Sequence, residues 1–421
     1  MRALSLAKYL PDSGLRVDVL TARNAAAVGR DFALLQQVPS SVTVHRSWTL
    51  DLPFGLRKAI KRAISGSGSK MNNCSGPAKR HKPSLLKRLI ANLLLPDPQV
   101  GWLPFATPAA KRVIRKRQID LVLITVPPFS SVRLVSRLRS TFPSLPIVLD
   151  FRDEWLTTTI RLVSFNDNER AHAIAREAEA EAVRDATAVV GASEGARREI
   201  CGRYPSEPES KFHCIPNGFD TLSQTPRRPL RSLEKTQAVI LYIGTVYGST
   251  DPQTFVQAVH ELPEQTRRLL RIRFIGRIET AAYYQALESL GNTVELTGFV
   301  PQAEALRAIK GATYLLLISH DRLNIAGKMY DYLGSGKPIL GAIHPDGDVR
   351  RLLEETRAGW WADVHNVDAI KRMLIEAVER QSTLGRSFQP DVDRIAAYHR
   401  RPLAVRYACL LQVTAGAPCK C

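Results

Sequence analysis

Acidic residues are in short supply: 40 Asp and Glu stand against 59 Lys and Arg, leaving a formal charge of +19. So large an excess suits an anionic partner, whether a sugar nucleotide, an anionic lipid surface or nucleic acid. No zinc-finger pattern, RNA-recognition signature or arginine–aromatic interleaving occurs, so nucleic acid is not expected. No run of about 18 or more uncharged apolar residues occurs either, which argues against a membrane-spanning helix. The opening residues Met1–Leu10 lack the apolar core and cleavage site of a signal peptide, which points to the cytoplasm. Six cysteines (Cys74, Cys201, Cys214, Cys409, Cys419, Cys421) show no paired metal-ligand spacing. Even Cys419-Lys-Cys421 reads as part of a frayed tail, and incidental thiols are expected. Internal repeats are absent as well.

The 421 residues suffice for two domains of ordinary size, and 44% hydrophobic with 24% charged residues is the balance of a soluble globular protein. Apolar positions at helical spacing over residues 2–10 end at Pro11, and short β-runs follow at 15–21 and 42–45. An alternating α/β chain normally opens on a strand, so the start at Met1 is expected to lie downstream of the true one. Between residues 55 and 90, ten lysines and arginines surround the Gly/Ser/Asn-rich stretch 66–73. This reads as a flexible basic insertion able to touch anionic lipid, at about 1 kcal/mol per basic residue near the surface. Further strands are expected at 119–125, 146–150, 188–192 and near 212, with a long charged helix over 167–185. Residues 221–237 have linker composition. A second series of strands follows at 238–243, 271–275, 293–296, 314–318, 338–342 and 358–361. Two doubly wound α/β domains are therefore expected, over 1–225 and 237–394, with a final helix in 395–421 returning to the first.

Ligands of open parallel sheets bind at the carboxyl ends of strands, so the residues just after each strand matter most. In Ala326-Gly-Lys-Met-Tyr-Asp-Tyr-Leu-Gly-Ser-Gly-Lys-Pro338 a helix begins with unpaired N–H groups that attract phosphate. Lys328 adds a point charge for a diphosphate, and Asp331 one turn later can accept both hydroxyls of a ribose. A solvent-facing Lys–Asp pair at i, i+3 is the alternative. Gly244 lets backbone approach a phosphate, with Thr245 as a hydroxyl donor, and Arg277 repeats the pattern one unit later. Gly298, Phe299 and Val300 form a turn whose backbone could read a base edge. Arg152 and Asp153, after the strand at 146–150, are candidates for the reacting centre or for a surface-loop ion pair. Ser130 or Ser131 is expected to cap a helix.

The collinear order of Trp102-Leu-Pro-Phe105, Pro127-Pro-Phe-Ser-Ser131, Asp150-Phe-Arg-Asp-Glu-Trp155, Pro216-Asn-Gly218, Tyr242-Ile-Gly-Thr245, Gly298-Phe-Val-Pro301 and Gly327–Pro338 resembles the GT-B glycosyltransferases of family 4, most of all their bacterial surface-polysaccharide branch. The resemblance implies two Rossmann-like domains facing a cleft. It also implies a nucleotide diphosphate sugar held mainly by the second domain, a glycan or lipid-linked acceptor, and retaining transfer with no cofactor and no obligatory metal. On that likeness Lys328, Gly244 and Thr245 bind the diphosphate, Asp331 holds ribose, Gly298 to Pro301 border the base, and Arg152 lies near the transferred sugar. Three departures stand out. Leu323 occupies the place of the family's first glutamate. The basic pair after the Gly244 loop is replaced by Thr245, Ser249 and Thr250. The first strand and its Gly-rich loop are missing. The lost glutamate and basic pair favour one rival, a non-catalytic nucleotide-sugar-binding subunit; a nucleotide-sugar epimerase of the same fold is a third possibility.

Overall fold

The computed structural model describes residues 2–25, 32–50, 94–160, 168–220 and 237–419. The basic insertion expected at 55–90 and nearly all of the 221–237 linker lie outside these residues. The chain divides into two units, one of Met1–Ala192, Ala196–Ile215 and Ala404–Cys421, the other of Ser193–Gly195 and Pro216–Leu403. Among the described residues no helix is long and apolar enough to cross a membrane.

In the first unit, β1 (Asp18–Ala22) and β2 (Thr43–Ser47) form one parallel sheet. A second parallel sheet has the order β3 (Val122–Val126), β4 (Ile147–Phe151), β5 (Ala188–Gly191), β6 (Phe212–Cys214). Two sheets thus stand where the sequence leads one to expect one, because among the described residues β1 bonds only to β2 and β3 only to β4. Every residue of β4 and β5 is buried, which is why their sequences are apolar runs rather than alternations. Helix α1 spans Arg2–Tyr9, α2 spans Leu103–Arg117 and α3 spans Glu169–Asp185. Helix α3 buries Ala171, Ala175, Ala178 and Ala182 at spacings of three and four, a smooth stripe that lets it lie close to its neighbours. Its first turn is capped by Asn168, whose side chain accepts from the Ala171 N–H.

Two local expectations are corrected here. The serines do not cap a helix. The Val126–Pro127 and Pro127–Pro128 bonds are cis, a 3₁₀ turn runs Phe129–Val132, and the buried Ser130 donates its N–H to Asp97 Oδ2 at 2.7 Å. A carboxylate from 33 residues upstream thus does the capping, which no local pattern reveals. The terminal cysteines are not all thiols, for Cys409 and Cys419 form a disulfide closing a ten-residue separation. The final helix, α5, spans Arg400–Thr414 and follows a short helix at Val392–Ala396.

The end of β4 and the loop after it hold two buried carboxylates. Asp150 is fully buried and salt-bridged to Arg2 at 2.9 Å, and Tyr407 on α5 donates to it at 2.7 Å. Burial alone would lower the Arg2 pKa, but Asp150 and Tyr407 outweigh it and hold the guanidinium charged. Glu154, also buried, accepts from the N–H groups of Leu156, Thr157 and Thr158 and pairs with Arg203 at 2.6 Å.

The second unit carries one six-stranded parallel sheet in the order β12-β11-β10-β7-β8-β9. Its strands are β7 (Ala238–Ile243), β8 (Leu270–Ile275), β9 (Val294–Gly298), β10 (Tyr314–Ser319), β11 (Ile339–Ile343) and β12 (Gly359–Asp363). Alternation in β7 sends Ile240 and Tyr242 into one core and Leu241 into another, so both faces of the sheet are covered. The chain winds outward through β8 and β9, then returns to place β10 on the other side of β7. In open parallel sheets ligands bind where the strand order reverses, which here is at the carboxyl ends of β7 and β10. Helix α4 (Gly327–Ser335) follows β10 and buries Met329, Tyr330, Tyr332 and Leu333, and Gly336 at φ +67° ends it.

Candidate functional site

The carboxyl ends of β7 and β8 are shaped by two glycines. Gly244 has φ +128° and Gly276 φ +140°, a backbone region closed to most side chains. A Cβ on Gly276 would lie 2.0 Å from the Gly244 carbonyl oxygen, so the two loops pack backbone to backbone. The Gly244 N–H donates to the Ile275 carbonyl at 2.8 Å and the Gly276 N–H to the Gly298 carbonyl at 2.7 Å, which joins the ends of β7, β8 and β9.

Lys328, in the first turn of α4, reaches this edge. Its Nζ lies 3.7 Å from the centroid of the Tyr242 ring. The space left by the missing Cβ of Gly244 faces Lys328 Cδ and Nζ, each 3.6 Å away. Burial pushes the Lys328 ammonium down to about 7. Among the described residues no carboxylate pairs with it, and Asp331 is exposed on the next turn. The two residues therefore form no salt bridge, and the solvent-facing Lys–Asp pair is not what the sequence pattern builds. A partly desolvated ammonium without an anion, beside a helix N-terminus and a glycine loop, is an arrangement that favours an anionic ligand.

Thr245 is half-buried, and its carbonyl accepts the Tyr242 hydroxyl at 2.9 Å. Exposed Arg277 stacks on exposed Phe299 with the guanidinium carbon 5.3 Å from the ring centroid. Val300 packs partly buried against the core under α4. Lys328 and Gly244 are thus in contact, as are Arg277 and Phe299, all within the second unit. Leu323, where a glutamate is expected from the resemblance, is buried at 5% exposure. The loop around it is held by Asp321, whose Oδ1 accepts the N–H groups of Leu323 and Asn324 at 2.9 Å each. Among the described residues no three His, Cys, Asp or Glu side chains converge as metal ligands.

Arg152 and Asp153 belong to the first unit, half-buried at the carboxyl edge of its sheet. Arg152 spends its guanidinium on the loop before it, donating to the Pro127 carbonyl and, through Nε at 3.3 Å, to that of Val126. The sequence reading missed Tyr242. Its signal was the last inward-facing position of β7, two residues before Gly244.

Two family models match the chain and together span most of it: Glycosyltransferase Family 4 over residues 73–222 and Glycosyl transferases group 1 over residues 237–380. No curated protein sequence matches significantly. Among solved structures the chain is similar to HepE of Anabaena in complex with UDP and glucose, at TM-score 0.62 and 15% identity, covering 97% of this chain and 94% of that one. It is similar also to the sucrose-phosphate synthase of Thermosynechococcus elongatus, at TM-score 0.60 and 15% identity, covering 98% and 92%. A third is WaaG, a glycosyltransferase involved in lipopolysaccharide biosynthesis, at TM-score 0.57 and 13% identity, covering 97% and 95%. With a glycosyltransferase model on each half and the fold of such enzymes throughout, the chain belongs to the GT-B glycosyltransferases of family 4.

Proposed function

We propose that this glycosyltransferase moves a sugar from a nucleoside diphosphate donor to a glycan or lipid-linked acceptor, with retention and without an obligatory metal. The observation that carries the reading is Lys328, a half-buried ammonium with no carboxylate partner among the described residues, set beside the Gly244 loop. Breaking the anomeric C–O bond leaves negative charge on the departing diphosphate. Lys328 and the first N–H groups of α4 are preorganised donors for that charge. Asp331, exposed one turn on, would accept from the ribose, and Phe299 with Arg277 offers a stacking surface to the base. HepE, solved with UDP-glucose at 14% identity, supports a sugar nucleotide as the ligand class. The run of lysines and arginines over 55–90 supports action at the cytoplasmic face of an anionic membrane.

A thermal-shift panel of nucleoside diphosphates and their sugars tests the reading. A true donor at 100 times its dissociation constant would stabilise the protein by about 2.7 kcal/mol. No shift with any member would sink it. Buried Leu323 favours one rival, a subunit that binds the donor without transferring its sugar. Tight binding of the donor with neither hydrolysis nor transfer would establish that rival.

A further inference from the structure

Lys328 rests on a ring, not on an acid, and that choice has a function. We propose that Tyr242 is a positioning residue whose ring face holds the Lys328 ammonium over the Gly244 loop, in the place of a carboxylate, ready for the donor diphosphate. This deepens the reading above and rests on it.

The ring is fixed from three sides. Tyr242 is fully buried, stacks on Phe274 at 4.9 Å with 30° between planes, and donates its hydroxyl to the Thr245 carbonyl at 2.9 Å. Its plane is therefore set by the neighbouring strand and by the loop that Lys328 serves. Lys328 Nζ stands 3.7 Å above the ring centroid, well inside the reach of a cation–π contact. Tyr242 and Tyr332 are held neutral by burial, and Tyr332 is occupied in accepting the Ile243 N–H at 2.8 Å. Asp331 lies on the exposed side of α4. Among the described residues, the Tyr242 face is the electron-rich surface set against the ammonium.

A carboxylate in that position would bind the lysine more tightly, but an arriving diphosphate would have to displace it against like-charge repulsion. An aromatic face carries no net charge, so it supports the ammonium in the empty site and leaves its outer hemisphere to the ligand. It also opposes the desolvation that would otherwise strip the proton.

The test crosses Tyr242→Phe and Tyr242→Leu with Lys328→Met and measures binding of UDP and of inorganic pyrophosphate by calorimetry. Tyr242→Phe keeps the face and is expected to bind both within about 3-fold of the unmodified protein. Tyr242→Leu should weaken both about 5- to 10-fold and move the alkaline loss of binding to lower pH. In the Lys328→Met background the same change should have no further effect, since the lost contact is with Lys328. Tyr242→Met, closer in volume, replaces the leucine variant should that one unfold. Equal weakening in both backgrounds, or none in either, overturns the proposal, because the ring would then be packing alone. Failure of the unmodified chain to bind either probe overturns the donor-site reading itself, and the positioning role with it.

Discussion

If Lys328 is the diphosphate ligand, binding must track its protonation. Burial lowers its pKa to about 7, so in the empty site it is roughly three-quarters charged at pH 6.5 and about 3% charged at pH 8.5. A ligand that binds only the charged form sees its apparent affinity reduced by that fraction. The dissociation constant of UDP should therefore rise about 25-fold between these pH values, close to 2 kcal/mol, with one proton taken up per ligand bound at the upper end. Ionisation of the terminal phosphate, near pH 6, works in the opposite sense, so the loss cannot come from the ligand. Lys328→Arg stays charged throughout and should abolish the slope, whereas Lys328→Met should bind at every pH about as weakly as the parent does at its alkaline limit. The folding linkage has its own sign. The unfolded lysine titrates near 10.4 and the folded one near 7, so the unfolded state binds more protons between them and stability of the empty protein rises with pH there. Calorimetry in buffers of different ionisation enthalpy reads the proton uptake directly. A flat affinity from pH 6.5 to 8.5 with no proton uptake would refute the assignment of Lys328.

Other expectations follow from single contacts. Phe299→Ala should weaken UDP by about 1–3 kcal/mol and leave pyrophosphate unchanged, because only the base loses a stacking surface. Gly276→Ala places a Cβ 2.0 Å from the Gly244 carbonyl, so it should lower the melting temperature and UDP affinity together. Arg2→Ala leaves the buried Asp150 carboxylate without its ion pair and should cost about 3–5 kcal/mol in urea denaturation, whereas Tyr407→Phe should cost only about 1 kcal/mol. Reducing the Cys409–Cys419 bond should lower stability by no more than about 3 kcal/mol and leave UDP binding intact, since both cysteines lie in the first unit.

The second unit was nearly transparent in the sequence. Its strands are short β-branched and aromatic runs separated by helices, and β7 spans Ala238–Ile243 as the pattern predicts. Glycines at strand ends marked the loops correctly, because only glycine takes the backbone angles found at positions 244 and 276. What stayed hidden was the pairing of residues that meet only in the folded chain. Asp97 reaches Ser130, Arg2 reaches Asp150, and Cys409 joins Cys419, and none of these leaves a local trace. The break of the first unit into two sheets was hidden for the same reason, since strand propensity says nothing about which edge a strand finds. Lys328 was legible as a candidate, but its partner was not. A lysine at i and an aspartate at i+3 invite pairing on a helix surface, and only the three-dimensional position of Tyr242 shows that the lysine turns the other way.

That turn bears on whether the chain is a catalyst or a binder. The basic pair expected after Gly244 is replaced by half-buried Thr245 and Ser249 and buried Thr250, which leaves Lys328 as the cation beside the loop. One ammonium in a partly desolvated setting interacts with an anion more strongly per charge, because less solvent screens it. The same setting makes the ammonium easier to discharge, as its value of about 7 shows. A leaving diphosphate gains charge as the anomeric bond breaks, so a cation whose interaction grows in low dielectric favours the transition state over the bound donor. With Lys328 as the cation beside the loop, charge stabilisation falls mainly on the departing diphosphate. On this reasoning Lys328→Met should reduce kcat by a larger factor than it raises KM. The opposite split, a raised KM with kcat intact, would mean that Lys328 binds donor and transition state alike.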